Sequence, residues 1–433
     1  MSDSHGIFGG ERPLLDHERD WAARCSYFEC FGYTLRPRFR PGWKRSWDES
    51  GVPAPLCEDW IMALPNPNLI DATDKDGARV CIKRLYHKDN EKSIIRMLDP
   101  AASAPSTQNH SIPVIKCLEK PPKENQRPPG DDDHTAYLVM PFLFSINEVP
   151  FETVDQVADL VEQLLEGLVY MHARGVAHRD CSVRNIMMDA TALYPKGFHP
   201  VRTSLLPDAS GKAPRRSRSS AYIRYYYIDY GISSYFDPSV EQDRNVLGID
   251  GIDREVPELS STVPYDPFKV DVFLIGNLFK HEVYEKYKNL EFLKPLIQSM
   301  TAEDPAARPS ASDAYEHWTR IRGQLSMVQR AWRLKSRSEG TSVGLFLDAF
   351  TTIRLAVVLP AKLATVLFHR SLRIKSATTS SSTSPPAPSD TPPLPESTKK
   401  TPTRSFKSLK DKLSRSTKLL PRKANAPMVA ARD

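Results

Sequence analysis

Up to about residue 143 the apolar positions fall into short runs separated by turns, and beyond it they fall at helical spacing. In "NLIDATDKDGARVCIKRLY" (68–86) two apolar runs flank Asp-Lys-Asp-Gly. Asp-Gly is a strong turn signal because glycine accepts the positive φ such turns need, so the stretch predicts a β-hairpin with Lys83 near the end of its second strand. "NEKSIIRMLD" (90–99) predicts a short helix with Ile94, Ile95 and Leu98 on one side. "IPVIKCLEK" and "TAYLVMPFL" predict two more strands, joined by a polar, proline-rich loop at 121–134. In "VDQVADLVEQLLEGLVYMHARG" (154–175), Val154, Val157, Val161, Leu164, Leu165, Leu168 and Met171 share a helical face, and Gly175 closes the helix. "YIRYYYIDYG" (222–231) predicts a strand. "VDVFLIGNLF" (270–279), apolar on most sides, predicts a buried helix. "SASDAYEHWTRIR" (310–322) predicts a helix opened by serines suited to N-capping.

This order predicts an α+β protein: a small antiparallel sheet half with one helix (68–143), then a mainly helical half (144–335). A long insert at 190–221 interrupts the second half, with "SGKAPRRSRSS" at its polar tip. Residues 1–20 form a flexible N-terminus. Residues 21–67, which mix aromatic, basic and proline residues without periodicity, form an irregular preamble and the start of the first half. Residues 336–370 form an apolar or amphipathic helical segment, and 371–433 a disordered basic tail rich in Ser, Thr and Pro.

Composition changes this picture in a few places. With 40% apolar residues among 433, a sizeable core is available. The net charge of +6 hides an asymmetry: residues 371–433 hold 13 Lys and Arg against 4 Asp and Glu, so the remainder is slightly acidic. No nucleic-acid partner is expected. In the tail, "SFKSLKDKLSRSTKLLPRK" (405–423) sets Phe406, Leu409 and Leu413 on one side among lysines. That arrangement suits an acidic membrane surface, a nuclear address or an acidic partner; the plain alternative is a solvated basic tail. The six cysteines form no C-x-x-C pair, which argues against zinc, and "MSDSHGIFGGERPLLDHERD" has no apolar signal segment. An intracellular location, cytoplasmic or nuclear, with free thiols is expected. The most apolar stretch, 343–368, is interrupted by Asp348, Arg354, Lys362 and Pro360. It predicts helices packed on the protein or lying on a membrane surface rather than a span of about 20 apolar residues.

The chemistry-bearing motifs come in a fixed order. "VCIK" (80–83) precedes Glu91 in the next helix; "HRDCSVRN" (178–185), "DYG" (229–231), "VPE" (256–258), "DVFLIG" (271–276) and "DPAARP" (304–309) follow. Together they resemble the eukaryotic protein-kinase pattern over about residues 68–325: V-A-I-K, H-R-D-x-x-x-x-N, D-F-G, A-P-E and the closing D-P-x-x-R-P. "GYTLRPRFRPGW", "LYPKGFHP" and "AHRDCSVRN" also look like a fungal group of protein-kinase-like proteins.

The resemblance implies a bilobal kinase-like fold and transfer of the ATP γ-phosphate to a hydroxyl of a protein substrate, Ser/Thr more than Tyr. It implies Asp180 as catalytic base, Lys83 on the α- and β-phosphates with Glu91 as its ion-pair partner, and Asn185 and Asp229 as Mg²⁺ ligands. Cys81 and Met187 would sandwich the adenine. Met140 would stand at the back of the pocket, with Pro141, Phe142 and Leu143 as the hinge. Arg179 would reach a phosphate on the following segment. His178, Asp271 and the Arg308–Glu258 pair are structural in this reading.

Two departures matter. No G-x-G-x-x-G precedes Lys83; the nearest upstream glycines are Gly77, Gly51, Gly42 and Gly32, and Gly77 belongs to the hairpin turn. Ser182 stands where a lysine usually steadies the γ-phosphate, with Arg184 two residues on as a substitute charge. An active kinase and a pseudokinase scaffold therefore both fit, and a small-molecule kinase of the aminoglycoside-phosphotransferase kind fits less well because of "VPE", "DVFLIG" and "DPAARP".

Overall fold

The computed structural model describes residues 12–86, 90–98, 107–119, 128, 130–132 and 135–357. The expected flexible start, most of the loop at 121–134, and the expected disordered tail at 371–433 with residues 358–370 before it lie outside the described residues, save Arg12–Asp20 and the few loop residues just named.

The chain is a mixed α+β protein with antiparallel sheets. It begins with α1 (Asp16–Ala22), α2 (Cys25–Glu29), β1 (Thr34–Leu35) and α3 (Ser46–Ser50). The predicted hairpin follows as β2 (Leu69–Thr73) and β3 (Arg79–Leu85), and Gly77 in its turn has φ +83°. Next come α4 (Glu91–Leu98), β4 (Lys116–Leu118) and β5 (Ala136–Pro141). The five strands make one sheet in the order β1-β2-β3-β5-β4, with α4 in the connection between β3 and β4.

Side chains on a strand alternate between faces. That alternation decides where Lys83 goes. Val80 and Ile82 of β3 and Tyr137 and Val139 of β5 pack into a core with Trp21, Phe28, Tyr33 and Phe39. Leu85, Ala136, Leu138 and Met140 face the other way and pack with Ile94, Ile95 and Leu98 of α4. Cys81 and Lys83 share this second face, because they alternate with Val80 and Ile82.

The preamble at 21–67, read from the sequence as irregular and as the start of the first half, is built of short elements tied into the sheet. It supplies the edge strand, the cover for one face of the sheet, and the long connection from β1 to β2. What holds it is charge as well as apolar packing, which hides its periodicity. Arg38 and Glu18, both fully buried, pair at 2.8 Å, and Glu18 also accepts the N–H of Ala63 at 2.9 Å. Arg36 bonds Asp71 of β2 at 2.9 Å, Glu58 at 3.2 Å, and the carbonyls of Ile61 and Met62 at 2.8 and 2.7 Å. Arg24 joins Asp131 at 2.6 Å and the Tyr137 hydroxyl at 2.7 Å.

The second half begins with β6 (Phe144–Ser145) and the 20-residue α5 (Val154–Ala173), as its apolar spacing predicted. Gly175 ends this helix with φ +72°, and a Cβ there would stand 1.8 Å from the Phe236 carbonyl oxygen, so only glycine fits. Then come β7 (Val176–Ala177), β8 (Ile186–Asp189), β9 (Arg224–Tyr227), β10 (Ser234–Tyr235), β11 (Val246–Gly248) and β12 (Ser260–Tyr265). These make small sheets β6-β8-β9, β7-β10 and β11-β12. The rest is helical: α6 (Pro267–Phe279), α7 (Lys294–Met300), α8 (Ala311–Gln324), α9 (Met327–Ala331) and α10 (341–357). Ser310 caps α8 by accepting from Asp313 N, as expected of its opening serines.

The insert at 190–221 is better anchored than a polar loop. Leu193, Tyr194 and Phe198 are buried, and Tyr194 stacks on Phe144 with ring centroids 5.2 Å apart. Arg218, in what the sequence presented as the polar tip, is buried: it bonds Val149 O and the Tyr225 hydroxyl and lies 3.9 Å over the Phe151 ring.

Candidate functional site

A cavity of about 400 Å³ opens between the underside of the five-stranded sheet and the β6-β8-β9 sheet. Cys81, Lys83, Glu91, Met140, Phe142, Arg184, Asn185, Met187 and Asp229 all line it. Residues from five separate stretches of sequence thus meet at one place. Asp180 stands beside the cavity through Asn185 and Ile252, both of which line it.

An ion chain crosses the cavity. The Lys83 ammonium lies 2.7 Å from Glu91 Oε2 and 2.8 Å from Asp229 Oδ1. Burial works against the Lys83 charge, but Glu91 and Asp229 outweigh it and hold the ammonium above its usual value. Burial likewise opposes the Asp229 carboxylate, and the Lys83 charge and hydrogen bond overcome it, so Asp229 sits below the usual range. Burial lifts Glu91 above its ordinary value, with Lys83 offsetting part of the lift.

Local backbone geometry aims these groups. Asp229 has φ +65° and Arg179 φ +69°, a left-handed conformation costly for residues with a Cβ. Both are over-determined by their neighbours. Asp271 of α6, fully buried, accepts from His178 N at 2.7 Å and Arg179 N at 2.6 Å. His178 packs 4.9 Å from Tyr230, and its Nε2–H donates to Ile228 O at 3.0 Å. Tyr230 N donates to Glu91 Oε1 at 3.3 Å, tying "DYG" to α4. Arg308 grips Glu258 at 2.5 and 2.8 Å.

Both oxygens of Asp180 are engaged: Oδ2 accepts from Asn185 Nδ2 at 2.8 Å and Oδ1 from Ile252 N at 2.9 Å. The Asn185 nitrogen being turned to Asp180, its amide oxygen is left for another donor or a cation. An amide oxygen and a carboxylate, Asn185 and Asp229, are hard oxygen ligands of the kind Mg²⁺ takes alongside phosphate oxygens. Among the described residues no group of three or more His, Cys, Asp and Glu could hold a metal by itself. The donor set fits a magnesium ion brought with a phosphate ligand.

The apolar part of the cavity is formed by Cys81, Met187, Met140, Leu143 and Leu69. Burial pushes the Cys81 thiol up to about 12, so it stays a neutral surface. Phe142 uses its own N–H on Arg79 O at 3.2 Å, which leaves Leu143 as the N–H donor of the expected hinge. Arg184 stands exposed at the rim. The Ser182 hydroxyl is buried without a hydrogen-bond partner. Arg179 bonds Ile232 O at 3.1 Å and Leu247 O at 2.9 Å, with Ser234 Oγ at 3.4 Å.

Six lining residues escaped sequence reasoning, Ile112 and Ile228 among them. Leu64 and Asn66 come from the β1–β2 connection, and Ile252 from the segment after "DYG". Leu69 was legible in principle, since it pairs with Lys83 in the hairpin register. Nothing local marks Leu64, Asn66 and Ile252, because tertiary packing alone brings them in. Comparison with protein-family models finds no match to this chain, and comparison with curated proteins finds none either.

Proposed function

We propose that this chain is a protein-kinase-like phosphotransferase that moves the γ-phosphate of ATP to a protein hydroxyl, Ser/Thr more than Tyr. The observation that carries this is the Glu91–Lys83–Asp229 ion chain, at 2.7 and 2.8 Å, beside the Asp180–Asn185 pair. The strand order β1-β2-β3-β5-β4 with a helix after the lysine strand, above a mainly helical part, supports a bilobal kinase-like architecture.

In this reading Lys83, aimed by Glu91, binds the α- and β-phosphates. Asn185 and Asp229 hold Mg²⁺, which neutralises charge on the phosphate oxygens when bound. Asp180 orients the substrate hydroxyl and takes its proton. Arg184 at the rim supplies positive charge that Ser182 cannot. The adenine lies between Cys81 and Met187, with Leu143 N–H at the hinge and Met140 at the back of the pocket. The β1–β2 connection, with Leu64 and Asn66, stands where a glycine-rich loop would lie.

One observation favours a second reading, a nucleotide-binding pseudokinase: Asp180 Oδ1 is already occupied by Ile252 N–H. The two readings part in one experiment. The purified chain with labelled ATP, Mg²⁺ and a generic protein substrate is expected to transfer label, and Asp180→Asn to abolish it. ATP binding without transfer, identical in wild type and Asp180→Asn, selects the scaffold. No binding and no transfer overturns both.

A further inference from the structure

Helix α10 (341–357) turns its most apolar side away from the protein. Val343, Leu345, Phe346, Phe350, Ile353 and Val357 are 57–72% exposed. The side that touches the protein is narrow and partly polar. Thr351 is buried, and Asp348, the only acid of the helix, is pinned by Arg333 and Lys335 at 2.7 Å each. Arg333 also donates to Gly344 O at 2.9 Å and pairs with Glu339 at 2.7 Å. The helix is thus clamped by its weakly apolar side, with Phe346 and Phe350 facing outward.

Two features say what covers that side. At 100° per residue, the exposed apolar positions from Leu345 round to Val343 span an arc of roughly 160°, broader than the two-position seam a partner helix needs. No acidic side chain lies within it, and Arg354 stands at its edge. The chain that follows is strongly basic: residues 358–433 contain 15 Lys and Arg against 4 Asp and Glu. A wide apolar arc continued by a basic segment complements a surface that is apolar below and negatively charged above. Among the described residues no helix is long and apolar enough to cross a membrane.

We infer that α10 docks this protein onto an acidic lipid surface, with Phe346, Phe350 and Ile353 entering the headgroup boundary. This inference does not rest on the phosphotransferase reading. The test is sedimentation of the full-length chain with vesicles of phosphatidylcholine alone or with one-third phosphatidylserine. Expected is retention on the phosphatidylserine vesicles that drops about tenfold in Phe346→Ser/Phe350→Ser, as loss of buried apolar area requires. These positions are exposed, so thermal unfolding of the variant should match wild type. Retention unchanged in the variant and abolished by salt would mean that tail charge acts alone, and overturns the docking role of α10. A wild-type dimer in lipid-free solution that the double variant disperses, with no vesicle binding, assigns the face to a second copy and overturns it too. Absence of both binding and dimerisation overturns it as well.

Discussion

The backbone N–H of Ile252 donates to Asp180 Oδ1 at 2.9 Å, while Asn185 holds Oδ2 at 2.8 Å. A hydroxyl approaching Asp180 must take Oδ1 from Ile252. The neighbouring Gly251 lies tight against the same loop: a Cβ there would stand 3.0 Å from Arg179 O. Replacing Ile252 with proline removes the donor and frees Oδ1. A hydrogen bond to a charged group contributes about 1.5–3 kcal/mol, so under the proposed phosphotransferase function transfer to an added peptide should rise about tenfold or more. Gly251→Ala, which pushes the same segment outward, should raise it in the same direction. A fall in rate with both variants would mean that Ile252 positions the carboxylate instead of covering it.

Lys83 stands between two carboxylates, one of which, Glu91, is only 3% exposed. Lys83→Met leaves that buried charge unpaired, a loss of about 3–5 kcal/mol in stability. Adding Glu91→Gln should restore most of the stability, because the uncompensated charge is gone. It should not restore Mg-ATP binding measured by calorimetry, if Lys83 is the phosphate ligand. Recovery of nucleotide affinity in the double variant is the outcome that refutes the role of Lys83.

The sequence carried the Lys83–Glu91 pair and the elements around it because local signals and motif order agree there, whereas the Lys83–Asp229 contact emerged only in the fold. The hairpin turn at Gly77, the apolar face of α5 and the serine cap of α8 each follow from short-range chemistry. The preamble escaped because its folding depends on long-range pairs. Arg24 meets Asp131, Arg36 meets Asp71 and Arg38 meets Glu18, and no window of sequence contains the first two. Arg218 misled for a similar reason: besides Tyr225, seven residues on, its partners Val149 and Phe151 lie far upstream. Basic residues are read as surface unless their partner is visible.

Those buried pairs make a stability prediction. Arg38 and Glu18 are both fully buried, and Arg38 also donates to Asp59 O at 3.0 Å. Arg38→Ala strands the Glu18 carboxylate and should destabilise the protein by about 3–5 kcal/mol in denaturant unfolding. Replacing the pair with Met and Gln should cost less, since no charge is left buried and the Gln oxygen still accepts from one of the two backbone N–H groups, Leu15 or Ala63, that Glu18 holds on separate oxygens. Equal losses in the single and paired variants would show that packing, not charge, dominates at this site.

His178 links the site to pH. Its Nδ1 accepts from Asp180 N at 3.3 Å and its Nε2–H donates to Ile228 O, so the ring is neutral and has no place for a second proton. Burial holds its pKa below the ordinary 6.5, against the pull of Asp271 and Asp180. Below about pH 6.5 the unfolded chain therefore binds a proton that the folded chain refuses. Stability then falls with pH, by at most about 1.4 kcal/mol per unit, until the folded pKa is reached. His281 contributes with the opposite sign. Burial lowers it, but Glu285 and Glu255 outweigh that and raise its pKa, so its stabilisation is present at acid pH and lost as pH rises through the folded value. Urea unfolding between pH 5 and 7 should show a slope that His178→Phe reduces by up to one proton. An unchanged slope in that variant would mean that His178 accepts the proton in the folded state, and the hydrogen bonds that hold the loop beneath Tyr230 would have to rearrange.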